Sequence, residues 1–203
     1  MGTAERRQKE AHQRREGILK AARQVFWKRG YQAATMPQIA AVAEIAPGTL
    51  YLYFPSKEVL YVELLIEGYV ILHGQLEQAA TPRQATIRQA QALIDGFFEF
   101  AHSNPEYFDI IFFVLQQEKS KWETSFPREQ VDRLNRAEAM CQQVVSTALE
   151  RIVKRSAKQQ RAVMNAVWSM LAGVVFFFRA KGNYEETAKA ARELLLQAVS
   201  HGI

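Results

Sequence analysis

Apolar residues recur along most of the chain at spacings of three and four positions, and strict alternation of apolar and polar residues is nearly absent. The first such stretch predicts a helix from about Gln8 to Arg29 with one apolar face. Gly30 follows it, at a position where helices commonly end in a left-handed residue. Because the same spacing continues to the C-terminus, the sequence predicts an all-α fold of about nine helices.

Prolines and capping residues mark where the later helices begin. Two short helices come first, and longer ones fill the rest of the chain. The predicted helices after the first are about Met36–Ala43, Pro47 to near Phe54, Lys57–Ala79, one opening at Thr81–Gln84 and ending near His102, a short one from Asn104, Phe126–Lys154, Ser156–Ala180 and Tyr184–Ser200.

Positive charge is concentrated at the start of the chain. The net charge is +5, yet residues 1–57 hold ten Lys and Arg against four Asp and Glu, while residues 58–203 hold sixteen against seventeen. A concentrated positive field favours a polyanionic partner such as nucleic acid. A solvated basic helix end is the alternative interpretation of the charge alone.

Other classes of site are disfavoured by composition. One cysteine excludes a disulfide framework and a cysteine-rich zinc module, and the four histidines lack metal-ligand spacing, so we predict no metal and no cofactor. No apolar signal segment is visible near Met1. The uncharged stretch Ala162–Phe178 is interpreted as a buried helix rather than a membrane span. We therefore predict a cytoplasmic protein that is not membrane-bound.

The two short helices after the basic helix are typical of a helix-turn-helix, whose second helix enters the major groove of DNA. Gly48 lets the backbone approach DNA, and Thr49 can hydrogen-bond a base edge or a phosphate. Tyr51 and Tyr53 can reach phosphates, and Lys57 with its helix N-terminus forms a second phosphate site. The residues predicted to anchor this helix inward are Leu50, Leu52 and Phe54.

An ordered series of residues supports this interpretation: Ile18, Ala22, Phe26, Gly30, Tyr31, Thr35, Ile39, Ala40, Ala43, the run from Gly48 to Glu58, and Leu60. The series covers residues 14–62 and resembles the N-terminal signature of TetR-type transcriptional repressors. The resemblance implies a helix-turn-helix domain over residues 1–57 and a helical effector-binding and dimerisation domain over residues 58–203.

The resemblance also implies roles for individual residues. Thr35 is expected to contact phosphate from the start of the bracing helix, and Tyr53 and Lys57 to clamp the DNA backbone. Bases and nearby phosphates are expected to face Pro47, Gly48, Thr49 and Tyr51. The basic leader is expected to add an arm along or into the minor groove, through Arg6, Arg7, Lys9, Arg14 and Arg15.

Two positions depart from the family pattern. Glu44 stands in the turn where family members often have glycine, so a positive φ there predicts strain on the order of 1 kcal/mol. Ala46 stands where family members often have a capping serine, at a typical cost of ~1 kcal/mol that Pro47 partly offsets.

Aromatic residues are dense in the C-terminal region. The segment 107–115 is apolar on nearly every side, so it must be surrounded or must border a cavity. We predict an apolar effector pocket there, lined by Phe97, Phe98, Tyr107, Phe108, Ile111, Phe112, Met140, Met164 and Trp168.

The last two helices, about 156–180 and 184–200, are predicted to form a homodimer through a four-helix interface. Two recognition helices ~34–36 Å apart would then address a near-palindromic operator. The predicted function is a repressor that a lipophilic small molecule releases from DNA through movement of the helix 57–79. The alternative is a helical carrier or enzyme for lipophilic molecules, although no catalytic constellation supports an enzyme.

Overall fold

Nine α-helices and one π-helical segment make up the described part of the chain, which contains no strand. The computed structural model describes residues 3–80, 86–114, 126–152 and 156–200. The all-α prediction is confirmed, whereas the start predicted at Thr81–Gln84 lies outside the described residues. The elements are α1 (Thr3–Ala33), α2 (Met36–Val42), α3 (Pro47–Tyr53), α4 (Lys57–Ala79), α5 (Thr86–Ser103), α6 (Pro105–Asp109), the π segment (Ile110–Val114), α7 (Arg128–Ile152), α8 (Ala157–Phe178) and α9 (Tyr184–Ser200).

α1 begins at Thr3, earlier than the Gln8 at which the sequence placed its start. Residues 4–14 are all exposed, so no apolar periodicity marks them. They are rich in good helix formers, and Arg6 pairs with Glu10 one turn later at 3.4 Å. The basic leader is therefore part of a helix. The regular helix breaks at Gly30, whose φ of +75° agrees with the predicted cap.

The chain divides into two compact units, and the division falls within α4. Unit 1 contains the described residues 3–67 and 126–134, and unit 2 contains residues 68–114, 135–152 and 156–200. The sequence predicted a division after residue 57, where α4 begins. The first turns of α4 belong to unit 1, because Leu60 and Leu64 are fully buried there. α4 and α7 each supply residues to both units.

Unit 1 has an aromatic centre, and unit 2 has ion pairs between its helices. In unit 1 the ring of Tyr61 lies 5.1 Å from Phe26. In unit 2, Arg192 of α9 binds Asp95 of α5 at 2.6 Å. Arg179, directly after α8, binds Asp109 of α6 at 2.7 Å. The first pair joins the middle of α9 to the middle of α5, and the second joins the end of α8 to the end of α6.

Two of the described helices are long and apolar enough to span a membrane, namely α4 and the stretch Lys158–Phe178 of α8. Within α4 61% of the apolar window is buried, as expected for a core helix, but only 22% of the window in α8 is buried. The prediction that residues 162–178 form a buried helix is therefore wrong for this single chain.

Candidate nucleic-acid interface

α2 begins with a capping box, as the sequence predicts. The backbone N–H of Gln38 donates to Thr35 Oγ1 at 3.4 Å, and the backbone N–H of Thr35 donates to Gln38 Oε1 at 3.1 Å. This reciprocal pair satisfies two of the free donors at the helix start. The exposed Thr35 is thereby held in a fixed position at the N-terminus of α2.

The turn between α2 and α3 places Glu44 in the left-handed region, with a φ of 54°. The turn is closed by the N–H of Ile45, which donates to the carbonyl of Ala40 at 3.0 Å. A glutamate in this conformation costs on the order of 1 kcal/mol. The turn therefore keeps its geometry although glycine is absent, as the sequence analysis expected.

α3 is anchored by two side chains rather than three. Leu50 and Phe54 are fully buried, in agreement with the predicted inward face, but Leu52 is 86% exposed. The prediction that Leu52 points inward is wrong. The cause is helical geometry, because residues 50 and 54 share one side of the helix and residue 52 lies about 200° away from residue 50.

The predicted base-contacting residues share the outer surface of α3. Pro47, Gly48 and Tyr51 are exposed, and Thr49 is partly exposed. Because side chains three and four positions apart are neighbours on a helix, Leu52 lies beside Gly48 and Thr49. We call these five residues, 47–49, 51 and 52, the reading face. The structure thus brings four predicted contact residues together and adds Leu52 to them.

Glycine at position 48 is not required by the fold. A Cβ placed on Gly48 would meet nothing within 4 Å, and its φ lies outside the left-handed region. Glycine in a helix is unfavourable by roughly 0.5–1 kcal/mol relative to alanine. No contact of the described chain therefore requires glycine at this position.

Lys57 is engaged within unit 1. Its Nζ donates to the carbonyls of Tyr31 at 2.9 Å and Ala34 at 3.2 Å. The same ammonium lies 4.4 Å from the centre of the Tyr31 ring. The Tyr31 hydroxyl in turn donates to Glu58 at 3.0 Å. Lys57 therefore joins α4 to the end of α1 through two of the three N–H groups of its ammonium.

Tyr53 borders a cleft against the basic leader. The cleft has a volume of about 560 Å³, and its lining includes Lys9, His12 and Arg15 of α1 together with Tyr53. Tyr53 is partly exposed, so its hydroxyl is accessible from outside. The helical leader and the end of α3 thus border one polar cleft within unit 1, to which Glu5 also contributes a carboxylate.

A buried carboxylate holds three helices of unit 1 together. Glu63 of α4 is 7% exposed and binds Arg15 of α1 at 2.7 Å. Arg133 of α7 donates to both oxygens of Glu63, with the Nη2 contact at 3.1 Å. Burial by itself raises the pKa of Glu63, but hydrogen bonds from Arg133 and Arg15 outweigh it and leave the pKa lowered. Arg15 also lies 4.9 Å from the ring of Phe54, directly after α3.

A second candidate site lies wholly in unit 2. A cavity of about 720 Å³ is bordered by α4, the π segment, α7 and α8. Three predicted pocket residues line it, namely Ile111, Phe112 and Trp168. Its other described lining residues are Tyr69, Leu72, Glu138, Cys141, Gln142, Asn165, Ser169, Ala172, Gly173, Phe176 and Phe177.

The remaining predicted pocket residues lie elsewhere. Phe97 packs behind the cavity, with its ring 5.4 Å from Phe112 and 5.2 Å from Trp168. Met140 is 48% exposed and is not part of the described lining. Phe98, Tyr107, Phe108 and Met164 are buried. The sequence could not separate these buried side chains from the residues that line the cavity, because both groups are apolar.

The polar side of the cavity carries two weak acids. The Cys141 thiol donates to the carbonyl of Tyr69 at 3.3 Å. Burial, followed by the negative charge of Glu138, raises the pKa of Cys141 to about 12 and raises that of the Tyr69 hydroxyl as well. Both groups therefore stay protonated at neutral pH.

A family model described as bacterial regulatory proteins, tetR family, matches residues 18–64. The matched segment contains the capped α2, the turn at Glu44, the reading face and the first turns of α4. Residues 18–64, which lie within unit 1, are therefore similar to the tetR family, and we call them the TetR-type region. The match ends at residue 64, within α4.

Two curated relatives match the TetR-type region and its surroundings. The HTH-type transcriptional activator FasR of Mycolicibacterium smegmatis is 33% identical over 100 residues, which is 49% of this chain and 46% of FasR. The HTH-type transcriptional repressor KstR of the same species is 40% identical over 68 residues, 34% of this chain and 33% of KstR. The chain thus spans between a third and a half of the length of these relatives.

A solved structure extends the likeness of fold to nearly the whole chain. FadR of Bacillus subtilis, solved in complex with stearoyl-CoA, superposes with a TM-score of 0.69 and covers 93% of this chain and 98% of FadR. The identity is 17%, so this likeness shows the fold alone. An N-terminal helix-turn-helix followed by a helical region is the architecture that the two share.

Sequence reasoning missed two residues of unit 1, the exposed Leu52 and the buried Glu63. Leu52 was predicted to lie in the core together with Leu50 and Phe54, because the sequence alone does not show which side of a short helix is exposed. Glu63 was missed because a single carboxylate in a long helix resembles a solvated residue. Its only signal was its place within the otherwise apolar run Val59–Leu65.

Proposed function

We propose that the chain is a dimeric, DNA-binding transcriptional regulator whose α3 enters the major groove. The observation that carries the proposal is the reading face, an exposed surface on a helix whose inner side is fully buried, in a unit that matches the TetR family. The positive charge concentrated in residues 1–57 supports the same partner. Thr35 and Tyr53 contact phosphates, and Pro47, Gly48, Thr49 and Tyr51 face bases and nearby phosphates.

Lys57 has a double role in this proposal. Two of its N–H groups hold the end of α1 through carbonyls, and the third faces a phosphate. Lys57 therefore contributes to the position of α4 as well as to DNA affinity. Tyr53 contributes to affinity alone, because no described contact ties its hydroxyl to the fold.

The proposed dimer forms through α8 and α9. One surface of α8 is exposed and carries no charged residue, which a single soluble chain rarely leaves uncovered. This α8 surface consists of Ala162, Asn165, Ala166, Ser169, Phe176 and Phe177. On α9, Leu194 is 56% exposed. A second copy that pairs both helices buries these surfaces and sets two reading faces to address a near-palindromic operator.

A lipophilic effector that binds the cavity of unit 2 releases the DNA in this proposal. The apolar lining by Leu72, Ile111, Phe112 and Trp168 suits an apolar ligand, and the like-folded FadR was solved with stearoyl-CoA. The sequence predicts that movement of α4 alone carries the effect of effector binding to the DNA-contacting helix. α7 is a second route, because Arg133 holds Glu63 while Glu138 and Cys141 of the same helix line the cavity. A coupling of roughly 1–3 kcal/mol changes operator occupancy 5–150-fold.

The test is the binding of purified full-length chain to duplex DNA recovered by selection from a random pool. We expect a dimer to bind the selected duplex tightly and with an affinity that falls steeply with salt. Affinity that is weak, or equal for selected and scrambled duplexes, contradicts the proposal and favours a carrier of lipophilic molecules.

Repression is tested separately, since FasR is named an activator and KstR a repressor. A reporter gene placed behind the selected operator is expected to fall in expression when the chain is produced in the bacterial cytoplasm. A rise in expression would replace the repressor by an activator and leave the DNA-binding proposal intact.

A further inference from the structure

Leu52 is the most exposed large apolar side chain among the described residues. Its exposure is 86%, compared with 60% for Phe177, the next highest. The two apolar residues that flank it by two positions, Leu50 and Phe54, are fully buried. Leu52 therefore contributes nothing to the core of unit 1, and its apolar surface is available to a partner.

The position of Leu52 on α3 indicates where that partner lies. Side chains on a helix lean toward its N-terminus, so a residue covers the surface over the preceding turn. The turn that precedes Leu52 contains Gly48, and a Cβ added to Gly48 would meet nothing within 4 Å. Leu52 therefore lies on the exposed surface of α3 with Gly48 and Thr49, its neighbours four and three positions earlier.

The major groove offers one apolar group at the base edges, the C5-methyl of thymine. We infer that Leu52 reads a thymine methyl, making it a specificity-determining residue of the operator contact. The inference rests on the proposed function, since it requires that α3 enters the major groove. Burial of a methyl-sized group corresponds to about a fourfold change in affinity, and two half-sites of a dimer give about fifteenfold.

The experiment uses full-length dimer, the selected operator, and a set of duplexes in which one thymine per half-site is replaced by deoxyuridine. Deoxyuridine lacks the methyl and keeps every hydrogen-bonding group. Leu52→Ala is the variant, and Val70→Ala is a matched control, because Val70 is an apolar residue of α4 that is 57% exposed and lies outside unit 1. Thermal unfolding of each variant checks that the fold is retained.

We expect one thymine position at which deoxyuridine weakens the wild type and Val70→Ala by about fifteenfold. At that position Leu52→Ala is expected to bind both duplexes equally. The inference is overturned if Leu52→Ala is as sensitive to deoxyuridine as the wild type at every position. It is also overturned if Leu52→Ala lowers the affinity for the thymine duplex and for the deoxyuridine duplex by the same factor relative to the wild type. That result indicates that Leu52 contacts a sugar and not the methyl group. If no duplex is selected at all, the proposed function fails first.

Discussion

Arg15 of α1 and Glu63 of α4 are joined by an ion pair of 2.7 Å in which the carboxylate is 7% exposed. Arg133 of α7 completes this cluster within unit 1. A buried carboxylate is costly unless its partners are present, so the cluster makes the start of α7 necessary to the stability of unit 1. The start of α7 is thereby a part of unit 1 that no helix-turn-helix pattern contains.

Loss of Arg133 is expected to destabilise the protein. Arg133→Met leaves Glu63 with Arg15 alone, and because the arginine is about a third exposed we expect a loss of about 1–2 kcal/mol, below the range for a fully buried pair. Urea unfolding measures it. Arg136→Met on the same helix is the control, since Arg136 is exposed. Equal stabilities of the two variants would contradict a structural role for the cluster.

Glu63 also predicts a dependence of stability on pH. Its pKa is lowered from 4.5 in the folded chain, so its contribution is present above about pH 4.5 and is lost as the pH falls through the folded pKa. We expect the urea midpoint of the wild type to fall on acidification from about pH 6 to about pH 3.5, and that of Glu63→Gln to fall less. An identical pH profile for both proteins would show that other carboxylates dominate acid unfolding.

Gly48→Ala is expected to separate folding from DNA binding. The added methyl meets no atom of the chain, so stability rises by about 0.5 kcal/mol or stays constant. Against DNA the methyl overpacks a close contact, and we expect a loss of affinity of at least about tenfold. Gly74→Ala in α4, where a Cβ also meets nothing, is the control for the helix effect. Unchanged DNA affinity of Gly48→Ala would remove the argument for close backbone approach.

Substitutions of Tyr53 and Lys57 are expected to differ in effect, although both residues are proposed to contact the DNA backbone. Tyr53→Phe weakens binding to all duplexes by a similar factor and leaves the unfolding temperature unchanged. Lys57→Met has the same effect on DNA and in addition lowers stability by about 1–2 kcal/mol, since the carbonyls of Tyr31 and Ala34 lose a charged donor. Fluorescence anisotropy and thermal unfolding measure the two effects, and a fully stable Lys57→Met would contradict the internal role.

Local signals predicted the all-α architecture and several structural details of unit 1. The capping box at Thr35, the cap at Gly30 and the inward Leu50 and Phe54 each follow from a few neighbouring residues, and each is present. Leu52 and Glu63 could not be predicted, because their roles depend on which side of a helix meets another element. The pocket prediction met the same limit, since Ile111 lines the cavity while Met140 is exposed.

The two-part composition of unit 1 has a consequence for building hybrids from related regulators. A chimera made with one junction near residue 67 would bring α1 to α4 from one parent and the start of α7 from the other. The carboxylate of Glu63 would then face the side chain that the second parent has at position 133, which need not be the arginine that binds it in this chain. Functional chimeras are therefore expected to need additional junctions, so that residues 126–134 come from the same parent as residues 3–67.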